Sequence, residues 1–571
     1  MKLLVGFGHA TEPNAFEHHY VLWRGLGDEV RIFSNVGGDV LYTPGMDFEN
    51  IIQELGGFCP EMVILYSPEY WIIPRGLEKF DGIVVALIGD WNLSTVQILA
   101  AQHAIDYNFT DKMGVEFLSH WGVRAEYFPM FSYIPEQYDL PPAKEKEYDI
   151  VFIGNIHPEI HAERNRLVYR IAQLRNKYKI MLTSNIYGKA YAELMNRSKI
   201  VFNKSIRGEM NMRAYEAPGC SSLLFMEEEN LEVREFYKDR VHCVLYNEQN
   251  LEELLQHYIT HDEEREKIID NARKQVKTLT YAKRINGLLE RLRRLPSGKK
   301  LRKKLFDVKD AAFFLNSCFV GQAAPQEVSE QPKEAYPLNN HAVIKLAEAR
   351  RVNAPLEAFR NIETLFMAAH ALAPNDPIIP FNLGRHFYYL SDDNQAMIWF
   401  LKCAALLKGG HRPDPRSLPV SMPYSDFALR WYKTYRDGPQ DLPMRQALLF
   451  SEETLFFVGE LLARRNDFKG AIAQFRDGLS LNENNGGMLK AMGNALKAEG
   501  NLKKAYDFFR RAFELRPLEP TLWKDLLGVL KKLNSEETST FLDTHLELLS
   551  VLPMPESLRE ELLSIFFDEK N

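Results

Sequence analysis

Residues 199–228 read KIVFNKSIRGEMNMRAYEAPGCSSLLFMEE. The stretch opens on an apolar run, 199–203, that reads as a strand. A polar loop with Lys204, Arg207 and Glu209 follows, and residues 211–217 begin a helix that Asn211 is placed to cap. Pro218-Gly219-Cys220 stops that helix, and residues 222–226 form a second apolar strand. A strand, a crossover helix and another strand in so short a span belong to a parallel sheet.

The same alternation runs outward from this unit. Residues 149–153 and 179–183 read as strands with a helix between them over 162–177, and 241–246 reads as a further strand. Helices over 263–277 and 282–295 close the series. Nearer the N-terminus, residues 2–6, 30–34, 62–66 and 83–88 read as strands, and 48–55 and 95–102 as helices. The stretch Leu140-Pro141-Pro142-Ala143 separates two cycles and reads as a hinge. The expected organisation is a Rossmann-like domain over 1–142 and a second over 143–295. Ligands of such sheets gather outside the carboxyl ends of the strands.

Beyond this point the pattern changes. Residues 291–304, RLRRLPSGKKLRKK, form a basic cluster; 321–340, GQAAPQEVSEQPKEAYPLNN, have the composition of a flexible linker. Residues 296–340 are therefore expected to connect the α/β part to a helical part over 341–571. That part repeats with a period of 34 residues: Gly459 and Gly493, Ala471 and Ala505, Phe475 and Phe509. One copy contains Gly493, Ala505, Phe509, Ala512 and Pro517; an upstream copy has Gly384, Ala396, Phe400 and Cys403, and a weaker one Ile362, Phe366, Ala369 and Pro374. The pattern resembles the tetratricopeptide (TPR) repeat, in which small residues let two helices approach and an aromatic fills the gap between hairpins. Residues 409–423, rich in proline and serine, read as an insertion between copies. The fold class is thus α/β followed by all-α.

Composition excludes several functions. The 571 residues carry 70 basic and 77 acidic side chains, a net charge of -7, so no overall basic field invites nucleic acid. The opening MKLLVGFGHATEP reads as a strand rather than a signal peptide, and no stretch approaches the about 18 apolar residues that span a bilayer. Five scattered cysteines without a CxxC pair read as buried thiols of a reducing, cytoplasmic compartment. The basic cluster has two readings: a solvated helix face, or contact with an anionic partner or membrane surface.

The chemistry concentrates in the opening stretch. Lys204, Arg207, Arg213 and Glu216 fall close together, a set suited to a nucleoside diphosphate: cations and helix N-terminal amides for the phosphates, a carboxylate for the ribose hydroxyls. Residues 6–14, GFGHATEPN, are no Rossmann fingerprint, because Thr11 stands where a third glycine belongs. Gly6 and Gly8 are expected to let the backbone approach a ligand or a neighbouring helix. His9 after the first strand and Asp90 after the strand at 83–88 are candidate general bases for an acceptor hydroxyl, and Glu17, His18 and His19 begin the next helix.

The run NMRAYEAPGCSSLLFMEEENLEVREFY resembles the donor-binding segment of GT-B glycosyltransferases, and within them the CgeB-like group, where N-x-R-x-(Phe/Tyr)-E-A precedes a glycine and a small-residue strand. YDIVFIGN at 148–155, with Gly154 and Asn155, resembles the first strand and glycine turn of the group's C-terminal domain. Tyr187-Gly188-Lys189 and YAELMNRSKIVFN resemble its segment before the phosphate loop. VALIGDW and FTDKMGVEFLSHWGV resemble parts of its N-terminal half. The resemblance spans roughly residues 1–290. It implies that Glu216 binds the ribose and Arg213 the diphosphate, with Lys204, Arg207, Asn211, Tyr187, Gly154 and Asn155 lining the donor site. Related enzymes often carry two glutamates with seven residues between them, the first touching the sugar; here Glu209 and Glu216 have six, which leaves two readings for Glu209, a shifted loop or a different donor contact.

The expected activity is glycosyl transfer from a nucleotide sugar, metal-independent, with no Asp-x-Asp motif in the chain and no cofactor besides the donor substrate. The TPR array is expected to bind a protein partner or acceptor. The alternatives are an inactive GT-B scaffold that works through its TPR array, and an epimerase of the same fold. Glu216→Ala is expected to abolish donor binding with the fold intact.

Overall fold

A computed structural model describes every residue except 9–21, 24–28, 44–45, 93–94, 157–160, 296–300, 303–333, 352, 415, 421–441, 534–536, 553–555 and 569–571. Compactness divides the chain into two units, Met1–Met130 with Asn286–Leu461 and Phe131–Ile285 with Leu462–Asn571. This cuts the chain differently from the four successive segments read from the sequence.

The first unit contains a parallel sheet of seven strands: β1 (Lys2–Phe7), β2 (Glu29–Ser34), β3 (Val40–Leu41), β4 (Met62–Tyr66), β5 (Ile83–Leu87), β6 (Tyr107–Thr110) and β7 (Ala125–Tyr127). Their order is β3-β2-β1-β4-β5-β6-β7. The register pairs Leu3 with Val30 on one side of β1 and with Met62 on the other. Leu3, Leu4, Val5, Val63, Ile64 and Leu65 are all fully buried. Burial on both faces explains why these strands read as continuous apolar runs rather than alternating ones. The order reverses between β1 and β4, which is the switch point of this sheet.

Gly6 and Gly8 are explained by packing. A Cβ on Gly6 would lie 2.3 Å from the Phe33 ring, and one on Gly8 would lie 2.0 Å from the Trp71 ring. Both glycines make room for aromatic side chains, not for a helix.

The second unit carries a five-stranded parallel sheet, β8 (Tyr148–Ile153), β9 (Ile180–Thr183), β10 (Ser198–Phe202), β11 (Leu223–Glu227) and β12 (Val244–Tyr246). The order is β12-β11-β10-β8-β9, so the switch point lies between β8 and β10. The strand expected over 241–246 starts only at Val244, since Val241 is exposed. Thus the fold class is as read: two Rossmann-like parallel sheets, then helices.

The helical part consists of hairpins. Gly384 and Gly493 do the same work in their copies: a Cβ on either would lie 2.7 Å from the ring of Phe400 or Phe509 in the paired helix. The helix Ala335–Arg351 includes the end of the expected linker, and its Asn339 and Asn340 are fully buried. Within the second unit the last hairpins pack on the α/β part. Tyr169, in the helix Ala162–Ala172, meets Phe513 edge-on at 5.8 Å between ring centroids, and its hydroxyl lies 2.5 Å from His545 Nε2. Arg175 pairs with Glu547. Burial pushes the His545 imidazolium down to about 4, so the ring is neutral in this contact.

Among the described residues no helix is long and apolar enough to cross a membrane. Two cations of the basic cluster are engaged inside the first unit: Arg291 pairs with Glu126, and the buried Arg302 binds Asp106 and the carbonyls of Glu78 and Gly82. Cys220, Cys243 and Cys403 are buried as expected, whereas Cys59 is exposed; Cys318 lies outside the described residues.

Candidate functional site

The helix Arg213–Gly219 follows β10, so its first residue stands at the carboxyl end of the sheet. The Arg213 guanidinium reaches across the switch point. Nη1 donates to Asn203 Oδ1 at 2.7 Å, just after β10, and Nη2 donates to the carbonyl of Ile153, the last residue of β8. The group also lies over the Phe152 ring, 4.8 Å from its centroid. Nε is buried with no hydrogen-bond partner, and among the described residues no carboxylate comes within ion-pair distance. Gly154 is required here: a Cβ would lie 2.4 Å from Arg213 Nη2.

A second arginine, missed in the sequence, stands behind it. Arg164, in the helix after β8, is buried and donates from Nε to the Lys204 carbonyl at 2.9 Å and from Nη1 to the Asn155 carbonyl at 3.1 Å. Burial and the neighbouring charge of Arg213 push its guanidinium down to about 10. Two crowded cations, held mainly by carbonyls, are a place where an anion relieves repulsion.

The other candidates divide. Lys204 is buried, 2.5 Å from Glu229 and 3.7 Å from Glu163. Burial would lower its ammonium, but the carboxylates of Glu227, Glu163 and Glu229 prevail and hold it above its ordinary range. Its charge is already neutralised. Arg207 is buried, and its backbone N–H donates to Glu209 Oε2 at 2.7 Å. Glu209 thus turns back on its own loop, a role that suits the shortened spacing to Glu216. Asn211 does not cap the helix. Met212 holds that position without a side-chain bond, and Asn211 exchanges amide hydrogen bonds with Asn203 at 2.9 and 3.0 Å. Asn155 is exposed, and Tyr187 stands in solvent at 78% exposure.

Glu216 is 4% exposed. Tyr191 donates to its Oε2 at 2.6 Å, and Tyr138 is a further hydrogen-bond neighbour. Burial pushes the carboxyl up, opposed by Tyr191 and Arg213. Burial and the Glu216 charge push both phenols up in turn, so each remains a donor.

In the first unit, His9, Glu17, His18 and His19 lie outside the described residues. Asp90 follows β5 as expected and accepts a hydrogen bond from the Tyr70 hydroxyl. Its neighbour Glu69 was missed. Glu69 sits in a turn after β4 that begins at Ser67 in the left-handed region (φ 48°), and is fully buried. Its Oε1 accepts the N–H groups of Gly89 and Asp90 at 2.7 and 2.8 Å, while Oε2 has no partner among the described residues. Burial, with the Asp90 charge adding to it, pushes the carboxyl from 4.5 to about 7. A carboxyl raised in the folded state adds stability that is complete below about 4.5 and is lost as pH rises through 7. Glu69→Gln mimics the protonated form. Its stability relative to the wild type should therefore improve between pH 5 and pH 8, by up to roughly 3 kcal/mol. Parallel melting curves of both proteins at the two pH values check this; a constant difference refutes a protonated Glu69.

Among the described residues no group of three or more His, Cys, Asp or Glu converges as metal ligands would. The second parallel sheet thus carries two arginines, Arg213 and Arg164, close to its switch point. Residues 140–290 match the family model described as glycosyl transferase-like, so this segment is a glycosyltransferase-like domain, and helical hairpins follow it in the chain. Among solved structures, sucrose-phosphate synthase from Thermosynechococcus elongatus is similar at 11% identity and a TM-score of 0.37, covering 51% of this chain and 98% of that one. MamA from Desulfovibrio magneticus RS-1 is similar at 15% identity and a TM-score of 0.26, covering 39% and 97%. YrrB, described as a TPR protein with an unusual peptide-binding site, is similar at 16% identity and a TM-score of 0.27, covering 40% and 92%. No curated protein matches the chain.

Proposed function

We infer that the chain is a cytoplasmic glycosyltransferase that takes a sugar from a nucleotide donor without a metal ion. The observation that supports it most is Arg213: a guanidinium spanning the switch point of the second sheet, with no carboxylate within ion-pair distance among the described residues, inside the glycosyltransferase-like segment. The diphosphate leaving group binds there, with Arg164 behind, and cationic side chains stabilise the charge that develops as the sugar departs. Glu216 takes the ribose. Asp90 is the candidate base for the acceptor hydroxyl, an assignment that rests on its place after β5. The helical hairpins bring a protein acceptor or partner.

The test is a mass-spectrometric screen of the full chain against UDP- and GDP-sugars, reading sugar release and nucleotide-induced shifts in melting temperature. No release and no shift with any donor would leave only the scaffold reading. Gly154→Ala provides a sharper probe. Its Cβ would collide with the end of a side chain rather than with backbone, so the fold should tolerate it while Arg213 moves. We expect a melting temperature close to wild type and about tenfold weaker nucleoside diphosphate binding, read by calorimetry.

A further inference from the structure

Three asparagines on the helical hairpins of the first unit converge on one stretch of main chain. Asn339 and Asn340 lie in the helix Ala335–Arg351 and Asn382 in the helix Ile378–Tyr389, all fully buried. Asn340 Nδ2 donates to the Arg416 carbonyl at 2.9 Å, and its Oδ1 accepts the Leu418 N–H at 2.7 Å. The Leu418 carbonyl accepts from both Asn339 and Asn382, at 3.0 and 2.8 Å. Asn382 Oδ1 then accepts the Val420 N–H at 2.9 Å.

The pattern has a period of two. Residues 416, 418 and 420 present their main-chain groups to the asparagines, as one edge of an extended strand does. A primary amide carries both a donor and an acceptor, so the three side chains stand in for a partner strand. Pro419 has no N–H to offer and occupies a position where none is used. Leu418 is completely buried and Val420 nearly so. Ser417 adds a bond from Oγ to Asp376 at 2.9 Å, and Arg416 lies over the Tyr336 ring at 4.2 Å.

We propose that this face is a binding groove for an extended polypeptide, occupied in the structure by residues 416–420 of the same chain acting as an internal ligand. A partner segment with an aliphatic residue at the place of Leu418 takes the groove in trans. Every contact the asparagines make with residues 416–420 is to main chain, while Asn339 Nδ2 also donates to Asn340 Oδ1 and Asn382 Nδ2 to Asn339 Oδ1, so recognition demands an extended backbone and one or two apolar side chains, not a fixed sequence. Emptying the groove would leave the buried amides with only their bonds to one another, each lost main-chain partner costing about 1–3 kcal/mol, so the internal segment leaves in exchange for another strand rather than for nothing. Because it is tethered, its effective concentration is of millimolar order, and it competes strongly with a free peptide.

The experiment uses the full chain and a fluorescently labelled synthetic peptide with the sequence of residues 413–423, PDPRSLPVSMP. A variant in which residues 414–420 are replaced by Gly-Ser linker of equal length should bind it at least about tenfold more tightly than the wild type. Adding Asn340→Ala or Asn382→Ala to that variant should weaken binding by about tenfold or more, and a peptide with aspartate at the Leu418 position should not bind. Equal affinity for wild type and replaced variant, or binding that ignores the asparagines, overturns the proposal and leaves the contact as a staple for an inserted loop. Should the replaced variant fail to fold, the single substitution Leu418→Asp in the full chain expels the same segment, and unchanged peptide affinity there overturns the proposal equally. Binding, not turnover, is the readout, so this outcome is independent of whether the α/β part transfers sugar.

Discussion

Arg213→Lys should lower kcat/KM for the sugar nucleotide by about 100-fold or more, although a positive charge is kept. The reason is geometric. Nη1 and Nη2 are held in a fork by Asn203 Oδ1 and the Ile153 carbonyl, and the plane rests on the Phe152 ring. A lysine ammonium is a point donor: it cannot hold both strand ends and face a phosphate with a further N–H. Arg164 is no substitute, because its own donors are committed to the carbonyls of Lys204 and Asn155. Nor is Lys204, whose charge is balanced by Glu229 and Glu163. Steady-state kinetics with the donor found in the screen, beside a melting curve, decide the matter. A kcat/KM within threefold of wild type in a folded Arg213→Lys protein would remove the phosphate from this residue.

What the sequence revealed and what it hid follow from the range of the interactions. The strands of both sheets were legible because burial on two faces leaves continuous apolar runs; Met62–Tyr66 was read to the residue. The edge strand Val40–Leu41 and the short Ala125–Tyr127 have too few residues to make a pattern and passed unread. The repeat was legible because a glycine opposite an aromatic recurs at one period, as Gly384 with Phe400 and Gly493 with Phe509. The helix Ala335–Arg351 reads in part as linker because the groups it buries include asparagines rather than only aliphatics. Its partner strand lies 76 to 79 positions away in the chain, beyond any local rule.

The candidate site was half legible. Arg213 and Glu216 could be singled out from their spacing and their place between a loop and a Pro-Gly stop. The fate of Lys204 could not, because Glu163 and Glu229 reach it from separate elements. Arg164 and Glu69 gave no local signal: one lies on an ordinary amphipathic helix and the other in a turn after β4.

Burial also changes what Glu216→Ala can be expected to do. Read as an exposed ribose ligand, Glu216 is replaceable without harm; at 4% exposure, with Tyr191 donating to it at 2.6 Å, it is not. Truncation leaves the buried Tyr191 hydroxyl without its acceptor and opens a void beside Tyr138, a loss of about 3 kcal/mol. A nucleotide that fails to bind such a protein would say little about ribose. Glu216→Gln retains the shape and an acceptor for Tyr191, and its melting temperature should stay near wild type. Its loss should appear in binding, because Oε2 is committed to Tyr191 and the ribose must use the other oxygen; with the glutamine oxygen kept by Tyr191, that place holds an amide NH2, which cannot accept from a ribose hydroxyl. We expect at least about tenfold weaker binding of the nucleoside diphosphate by calorimetry, with the corresponding 2′,3′-dideoxy nucleotide indifferent to the substitution. If the two nucleotides lose affinity equally, Glu216 acts on the fold of the pocket through its tyrosines and the ribose is held by another group.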